Sequence, residues 1–152
     1  MAPWWQREDL HYRDGELALD GQSLATLASR LGTPVFVYSA SRVLQKLEAL
    51  RAALQARGLS HQVFYALKAN RHPDLLAALR SGGRCGIDVC SPRELLRALE
   101  AGFEEAEITY TGTAISAADW DVICRHPGIY LNCDSLSSIR QLGERSPGRE
   151  IG

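Results

Sequence analysis

The sequence predicts an α/β fold built on a parallel sheet. Predicted strands begin near residues 62, 85, 108, 129 and 150, so the steps along the chain are 23, 23, 21 and 21 residues. Predicted helices fill the intervals between them. Strands that alternate with helices through short connections form parallel sheets with right-handed crossovers. Two architectures fit this pattern: a doubly wound open sheet, and part of a (β/α)8 barrel.

Residues 1–40 form a lead of mixed polarity before this repeat begins. A turn is predicted at Asp14-Gly15, because Gly, Asp and Asn favour turns. Ser23 is the predicted cap of a helix, and Val35–Tyr38 is a predicted short strand. We therefore divide the chain into a lead with a helix and a strand, residues 1–40, and a strand–helix domain, residues 41–152.

The predicted helices of the domain have clear start and stop signals. A long helix is predicted from Ser41, and Ser91 to Glu94 matches a capping box with proline at the first helical position. Glycines stand where several helices should end. The other predicted openings are His72-Pro73, Ser116 and Asp134-Ser135, and the predicted ends are Gly58, Gly82-Gly83, Gly102 and Gly143.

The strand that ends in a lysine carries the main functional signal. Val63–Leu67 is a nearly unbroken apolar run, and Lys68 closes it. Alternation of side chains places Phe64, Ala66 and Lys68 on one face of this strand. A lysine on a buried strand is costly unless it is paired, neutralised or used covalently. The alternative is that Lys68 begins a loop and reaches water.

The next strand offers a carboxylate at the same level. Gly86 and Asp88 alternate on one face, and if Ala66 and Lys68 share that face, small residues lie beneath a lysine and a carboxylate. Filled barrels use bulky branched residues inside, so Ala66 and Gly86 suggest room for a flat ligand. A nearby carboxylate also steers the protonation of a lysine. The alternative is that Asp88 pairs with a helix N-terminus or with Arg84.

Other polar residues fall at the carboxyl ends of the predicted strands, where the active sites of both architectures gather. Thr111 and Thr113 are candidates for contact with a phosphate group or a substrate. Ser91 is better explained as a helix cap than as a nucleophile, because no base is placed beside it. The remaining candidates at these ends are Cys90, Gly112, Cys133 and Asp134.

Composition and charge exclude several classes of function. The chain is 45% hydrophobic and 23% charged with a net charge of −1, so neither nucleic-acid nor anionic-membrane binding is expected. No apolar run is long enough to span a bilayer, and the first residues lack the pattern of a secretory signal. The four cysteines fit neither a CxxC metal pattern nor a disulfide framework, and three of them are expected to be small, reduced core residues. The sequence therefore predicts a cytoplasmic protein without a metal site.

Five segments in order resemble one family, the fold-type III pyridoxal-phosphate decarboxylases that act on diaminopimelate, ornithine and arginine. The resemblance covers nearly the whole chain and includes the family's YAxKAN motif. It favours a partial (β/α)8 TIM-type barrel, the alanine racemase-like pyridoxal-phosphate-binding barrel, with only the first four to five βα units. The segments are Gly32–Tyr38, Tyr65–Asn70, Gly86–Leu95, Ile108–Gly112 and Leu131–Ser135.

The resemblance implies a cofactor and a role for specific residues. The cofactor would be pyridoxal 5′-phosphate, held by Lys68 as a Schiff base and used to decarboxylate an amino acid. Asp88 and Ala66 would line the cofactor pocket, with Thr111 as a further candidate. Full-length relatives are homodimers in which the lead, residues 1–40, packs on a C-terminal β domain. A substrate of the diaminopimelate type, or a related biosynthetic one, follows from this likeness.

Several features depart from the family pattern. A complete barrel needs about 250 residues, so this chain of 152 residues is predicted to be the N-terminal half of the barrel, active only within a longer enzyme. The diaminopimelate branch carries a Gly-Asn-Asn-Lys-Ser-like segment where this chain has Gly112–Ser116. The alternatives are an inactive fragment, a non-catalytic binding or regulatory relative, and, less favoured, an amino-acid racemase. In racemases the lysine motif runs into Tyr-Gly-His, whereas Arg71-His72-Pro73 follows here.

Overall fold

The chain folds as two compact units, and the second unit carries the parallel sheet. The structure is a computed structural model that describes residues 3–83 and 85–152. The units are Met1–Ala49 and Leu50–Gly152. No helix in the described part of the chain is both long enough and apolar enough to cross a membrane.

A small antiparallel sheet opens the first unit. Its turns are Asp14-Gly15 and Asp20-Gly21, and all four residues have positive φ, as two-residue hairpin turns of this kind require. The turn at Asp14-Gly15 was predicted, but the strands beside it were not, although two Asp-Gly pairs are a strong local hairpin signal. The strands are β1 (Leu10–Arg13), β2 (Glu16–Leu19) and β3 (Gln22–Ser23).

The helix that follows is confirmed, and the next predicted element is wrong. Helix α1 spans Leu24–Leu31, and the Ser23 hydroxyl accepts a hydrogen bond from the Thr26 N–H at 3.1 Å. The predicted strand Val35–Tyr38 lies outside the sheets of the described residues, and its Phe36 is 83% exposed. An apolar, β-branched run suits a strand, but a strand forms only where a neighbour pairs with its backbone. Helix α2 then spans Ala40–Gln55.

The second unit is built on four parallel strands in sequential order, which confirms the predicted α/β repeat. Each strand begins within two residues of its predicted start. At the fifth predicted start, near residue 150, no strand forms, although the Gly152 N–H donates to the Leu131 carbonyl at 3.0 Å. The elements are β4 (Phe64–Ala66), α3 (Pro73–Gly82), β5 (Gly86–Val89), α4 (Pro92–Glu100), β6 (Ile108–Thr111), α5 (Ala117–Ile123), β7 (Tyr130–Asn132) and α6 (Leu136–Arg145).

The two faces of this sheet differ in chemistry. One face, which we call the packed face, is apolar and almost fully buried, and its central residues are Ile87, Val89, Ile108, Tyr110 and Leu131. The other, which we call the open face, is largely polar and partly exposed, and consists of Phe64, Ala66, Gly86, Asp88, Thr109, Thr111, Tyr130 and Asn132. Parallel sheets are usually covered on both faces, whereas in the described part of the chain this one is covered on the packed face only. The open face is therefore the candidate location of a binding site.

Most of the predicted helix caps are confirmed. The side chains of His72, Ser91, Ser116 and Ser135 each accept a hydrogen bond from the first turn of their helix. Gly143 does not end α6, because a glycine is tolerated inside a helix at modest cost.

Candidate active site

Lys68 lies just beyond the end of β4 and is exposed to water. The strand stops at Ala66, and a 3₁₀ turn, Leu67–Ala69, carries the lysine away from the sheet. Leu67 is fully buried and anchors this turn. The prediction that Lys68 closes a buried strand was wrong, and the alternative that it begins a turn and reaches water was correct. No burial cost therefore has to be offset at this lysine.

The residues on either side of Lys68 fix the shape of its turn. The Tyr65 hydroxyl donates to the Asn70 carbonyl at 3.1 Å, which bridges the segment that holds the lysine. Burial raises the pKa of Tyr65 above its usual value, so the hydroxyl keeps its proton. The Asn70 side chain accepts from the His72 N–H at 2.9 Å and leads the chain into α3. The tyrosine and asparagine of the lysine motif thus hold the turn that presents the amine.

Asp88 lies on the open face beside Ala66, its register partner on β4. Its Oδ1 atom is buried and has no hydrogen-bond partner among the described residues. Of the two predicted structural partners, a helix N-terminus does not bind this oxygen in the described part of the chain, and Arg84 lies outside the described residues. A buried polar atom without a partner is unusual in a folded protein and is explained by a missing ligand, water or ion.

Gly86 is required by packing and does not leave room for a ligand, contrary to the prediction. A Cβ atom at this position would lie 2.3 Å from the Glu107 carbonyl oxygen and 2.7 Å from the Phe64 ring. The ring of Phe64 therefore covers the space above the glycine. Ala66 is the small residue on the open face next to Lys68. Its side chain is a single methyl group and fills little of the space above the sheet.

Cys90 and Glu94 meet where β5 leads into α4. Glu94 is 8% exposed, and its Oε2 atom accepts from the Cys90 N–H at 2.9 Å and from the Cys90 thiol at 3.2 Å. The predicted capping box is thus only half formed, because the glutamate binds the backbone of Cys90 instead of Ser91. Cys90 was predicted to be a core residue and is instead exposed, while Cys85 and Cys133 are half-buried, and all four cysteines are free.

A row of hydrogen bonds crosses the open face on β6 and β7. The Asn132 amide nitrogen donates to the Thr109 hydroxyl at 3.1 Å and to the Thr111 hydroxyl at 2.9 Å. Because both threonine oxygens accept from Asn132, each threonine can still donate its own proton. Thr111 is exposed at the end of β6. Sequence reasoning missed Asn132, whose only signal is a polar residue inside a short strand.

Two of the remaining sequence candidates, Ser91 and Asp134, bind the first turns of helices. The Ser91 hydroxyl accepts from the Glu94 N–H at 3.3 Å, which confirms its role as a cap. Asp134 accepts from the Ser138 hydroxyl at 3.0 Å at the start of α6. Thr113 is exposed beyond β6.

Lys68, Asp88 and Cys90 form one cluster at the carboxyl ends of adjacent strands. Burial is the largest effect that raises the pKa of the Cys90 thiol, followed by Glu94, while Lys68 lowers it and Asp88 raises it. The charges of Lys68 and Asp88 are thus close enough to act on the thiol. The cluster combines an exposed amine, which can condense with an aldehyde, with a carboxylate acceptor and hydroxyl donors on the same face.

Comparison with known proteins identifies relatives of this arrangement. Residues 40–152 match the pyridoxal-binding domain of the pyridoxal-dependent decarboxylases. Diaminopimelate decarboxylase from Aquifex aeolicus is 41% identical over 135 residues, which are 89% of this chain and 31% of the relative. A crystal structure from Aquifex aeolicus matches with a TM-score of 0.81 at 34% identity, over 90% of this chain and 33% of the other.

A second solved structure shows a relative with an amino acid bound. Diaminopimelate decarboxylase from M. jannaschii, in complex with L-lysine, matches with a TM-score of 0.78 at 26% identity, over 91% of this chain and 32% of the other. The chain thus spans about a third of the length of these relatives. Their likeness to the described structure supports the partial barrel over the doubly wound sheet.

Proposed function

This chain belongs to the pyridoxal-dependent decarboxylases, and we propose that it contributes the lysine of an amino-acid decarboxylase, Lys68, which binds pyridoxal 5′-phosphate covalently. The observation that supports this most is the placement of Lys68. Its amine is exposed on a braced turn directly beside the open face. Within the described residues the Lys68 ammonium makes no ion pair, so no carboxylate has to release it before it reacts.

The residues around Lys68 fit this cofactor. The unpartnered Oδ1 of Asp88 offers an acceptor for an N–H group of a bound ligand. The Thr111 hydroxyl offers a donor, because its oxygen accepts from the Asn132 amide and its own proton remains available. The Ala66 methyl group fills little of the space above the open face near Asp88. When bound, the cofactor supplies an electron sink for the pair left on the substrate carbon as CO2 departs.

Each of these side chains has a distinct task in the proposed reaction. The neutral Lys68 amine is the nucleophile that holds the cofactor until the substrate amine replaces it. The Asp88 carboxylate offers its Oδ1 atom as the acceptor for an N–H group at this site. Tyr65 and Asn70 keep the lysine turn in place and act through Lys68 without touching the reacting atoms.

We propose an amino acid of the diaminopimelate type as the substrate of the longer enzyme. The relatives that share this part of the chain are diaminopimelate decarboxylases, and one of them binds L-lysine. Since the chain spans about a third of their length, the rest of the site would come from the other two thirds of such an enzyme. The homodimer and the cytoplasmic location expected from the sequence are part of this proposal.

An absorbance titration with pyridoxal phosphate tests the role of Lys68. The chain contains two lysines, Lys46 and Lys68, so Lys46→Ala is a matched control for Lys68→Ala. We expect the parent chain and Lys46→Ala to develop the band of covalently bound cofactor, and Lys68→Ala to lose it. An equal response from the parent chain and Lys68→Ala would overturn the proposal and favour a non-catalytic relative.

A further inference from the structure

A second nucleophile, the thiol of Cys90, lies at the same end of the sheet as Lys68. Ala66 and Asp88 are register partners on β4 and β5, and Lys68 and Cys90 each follow two residues later. The side chain of Cys90 is exposed, and the Lys68 charge acts on its thiol. A thiolate adds readily to aldehydes, so a cofactor aldehyde that reaches Lys68 also meets a sulfur that competes for it.

Glu94 is placed to control this sulfur. Glu94 lies in the first turn of α4 and is a buried residue, 8% exposed. The same oxygen, Oε2, accepts both the Cys90 N–H at 2.9 Å and the Cys90 thiol proton at 3.2 Å. The first contact fixes the backbone at the end of β5, and the second engages the thiol proton. A buried negative charge next to a thiol disfavours the thiolate.

We propose that Glu94 keeps Cys90 as a hydrogen-bonded thiol and so reserves an aldehyde ligand for Lys68. In the reaction that Glu94 suppresses, the thiol would give its proton to water and its sulfur would bond to the aldehyde carbon. The C=O π pair would move to oxygen, which would take a proton from solvent. This inference rests on the proposed function of Lys68 and adds a positioning role for Glu94 that acts through Cys90.

The charged groups around the thiol do not cancel this effect. Lys68 favours the thiolate, but burial and the hydrogen bond to Glu94 are larger effects in the opposite direction, and Asp88 also opposes the thiolate. Tyr110 on the neighbouring strand stays neutral, because burial raises its pKa to about 12. Removal of the Glu94 charge leaves Lys68 as the strongest charge that acts on the sulfur, so the pKa of the Cys90 thiol should fall from its value in the parent chain while burial still raises it.

Site-resolved alkylation of the full chain with iodoacetamide tests the control by Glu94. Peptide mapping gives the rate at Cys90 against pH, and we expect Glu94→Gln to raise that rate roughly tenfold near neutral pH, because the hydrogen bond between the thiol and a charged carboxylate is lost. Glu100→Gln, on the same helix and paired with Arg97, should leave it unchanged. The rate at half-buried Cys124 reports unfolding in the same samples. An unchanged Cys90 rate in Glu94→Gln would overturn the proposal.

A pH profile of the parent chain gives an answer even where the variant fails to fold. The rate at Cys90 should rise with an inflection above the ordinary thiol value of about 8.5. An inflection at or below that value would contradict the proposal.

Borohydride labelling with a limiting amount of pyridoxal phosphate tests the competition itself. We expect less cofactor fixed on Lys68 in Glu94→Gln than in the parent chain, and recovery in the double variant Glu94→Gln/Cys90→Ala. A purely structural role for Glu94 predicts no recovery when the sulfur is removed, and that result would overturn the competition. If the parent chain carries no label on Lys68, the proposed function is wrong. The alkylation rates at Cys90 would still test the role of Glu94.

Discussion

Asp88 is the residue at which stability and function are expected to conflict. Its Oδ1 atom is buried without a hydrogen-bond partner among the described residues, and an unsatisfied buried polar group costs about 1–3 kcal/mol. A residue kept for structure would be paired. An unpaired carboxylate beside the lysine turn instead suits a ligand that supplies the missing donor.

Replacement of Asp88 by alanine separates these two roles. We expect Asp88→Ala to raise the free energy of unfolding of the cofactor-free chain by about 1 kcal/mol, because the unpaired oxygen is lost. Its affinity for pyridoxal phosphate should fall roughly tenfold, the loss of one hydrogen bond to a charged group. Urea unfolding and the absorbance titration give the two quantities.

The control for this variant is Asp121→Ala, which removes an exposed ion pair with Arg145. Such pairs contribute about 0–1 kcal/mol, and the cofactor affinity should not change. If Asp88→Ala destabilises the chain by more than 1 kcal/mol, Asp88 has a structural partner and the interpretation fails.

At the scale of elements, local signals were predictable and contacts between distant residues were not. The caps at His72, Ser91, Ser116 and Ser135 are confirmed because a cap binds only the next few residues. Each strand of the parallel sheet starts close to its predicted position for a similar reason, since apolar runs and turn residues are local.

The errors have the opposite cause. The row on the open face joins Asn132 to threonines more than 20 residues away. The turn at Lys68 is held by a side-chain contact between Tyr65 and Asn70, which the alternation of apolar residues does not encode. Val35–Tyr38 has a strand pattern but no sheet partner in the described chain. The space above Gly86 depends on where Phe64 points. Periodicity carries none of this information.

Gly86 tests how closely the strands pack, because β5 can lie this close to the Glu107 carbonyl, just before β6, only without a side chain at this position. We expect Gly86→Ala to lower the free energy of unfolding by about 1–3 kcal/mol, the usual cost of overpacking, since its Cβ would collide with the Glu107 carbonyl. Gly143→Ala is the matched control within α6, where a Cβ meets nothing. That variant should gain about 0.5–1 kcal/mol. Urea unfolding that shows no loss for Gly86→Ala would contradict the packing described.

Glu105 holds the loop that leads into β7, and its contribution should depend on pH. Its carboxylate accepts from His126 Nδ1 at 2.9 Å and from the Gly128 N–H at 2.7 Å. Burial raises the pKa of Glu105, but these hydrogen bonds and the charges of His126 and Arg149 outweigh it and lower the pKa below its usual value. A lowered pKa means stability that is present above the unfolded value, about 4.3, and lost as pH falls through the folded value.

Glu105→Gln should therefore lower the free energy of unfolding at pH 7 by about 1–2 kcal/mol. The difference from the parent chain should shrink as the pH drops below about 4. Urea unfolding at several pH values measures it, with Glu144→Gln on the exposed surface of α6 as the control. A difference that is the same at acid and neutral pH would show that the charge of Glu105 is not involved.

At the scale of the whole molecule, the sheet of the second unit is apolar on one face and largely polar on the other. Helices α3 to α6 supply buried leucine, isoleucine, alanine and tryptophan side chains to the core. The open face instead carries Asp88, two threonines and Asn132 in register, with Lys68 at its edge. The chain matches about a third of the length of its decarboxylase relatives, and this third contains Lys68 and the strands of the open face.

The most direct test of this account is to reduce the chain with borohydride in the presence of pyridoxal phosphate and to map the adduct by mass spectrometry. We predict one cofactor per chain, fixed on Lys68. Label on Lys46 or on the N-terminal amine at a similar level, or no stable label on Lys68, would contradict the claim that this part of the fold presents Lys68 to the cofactor.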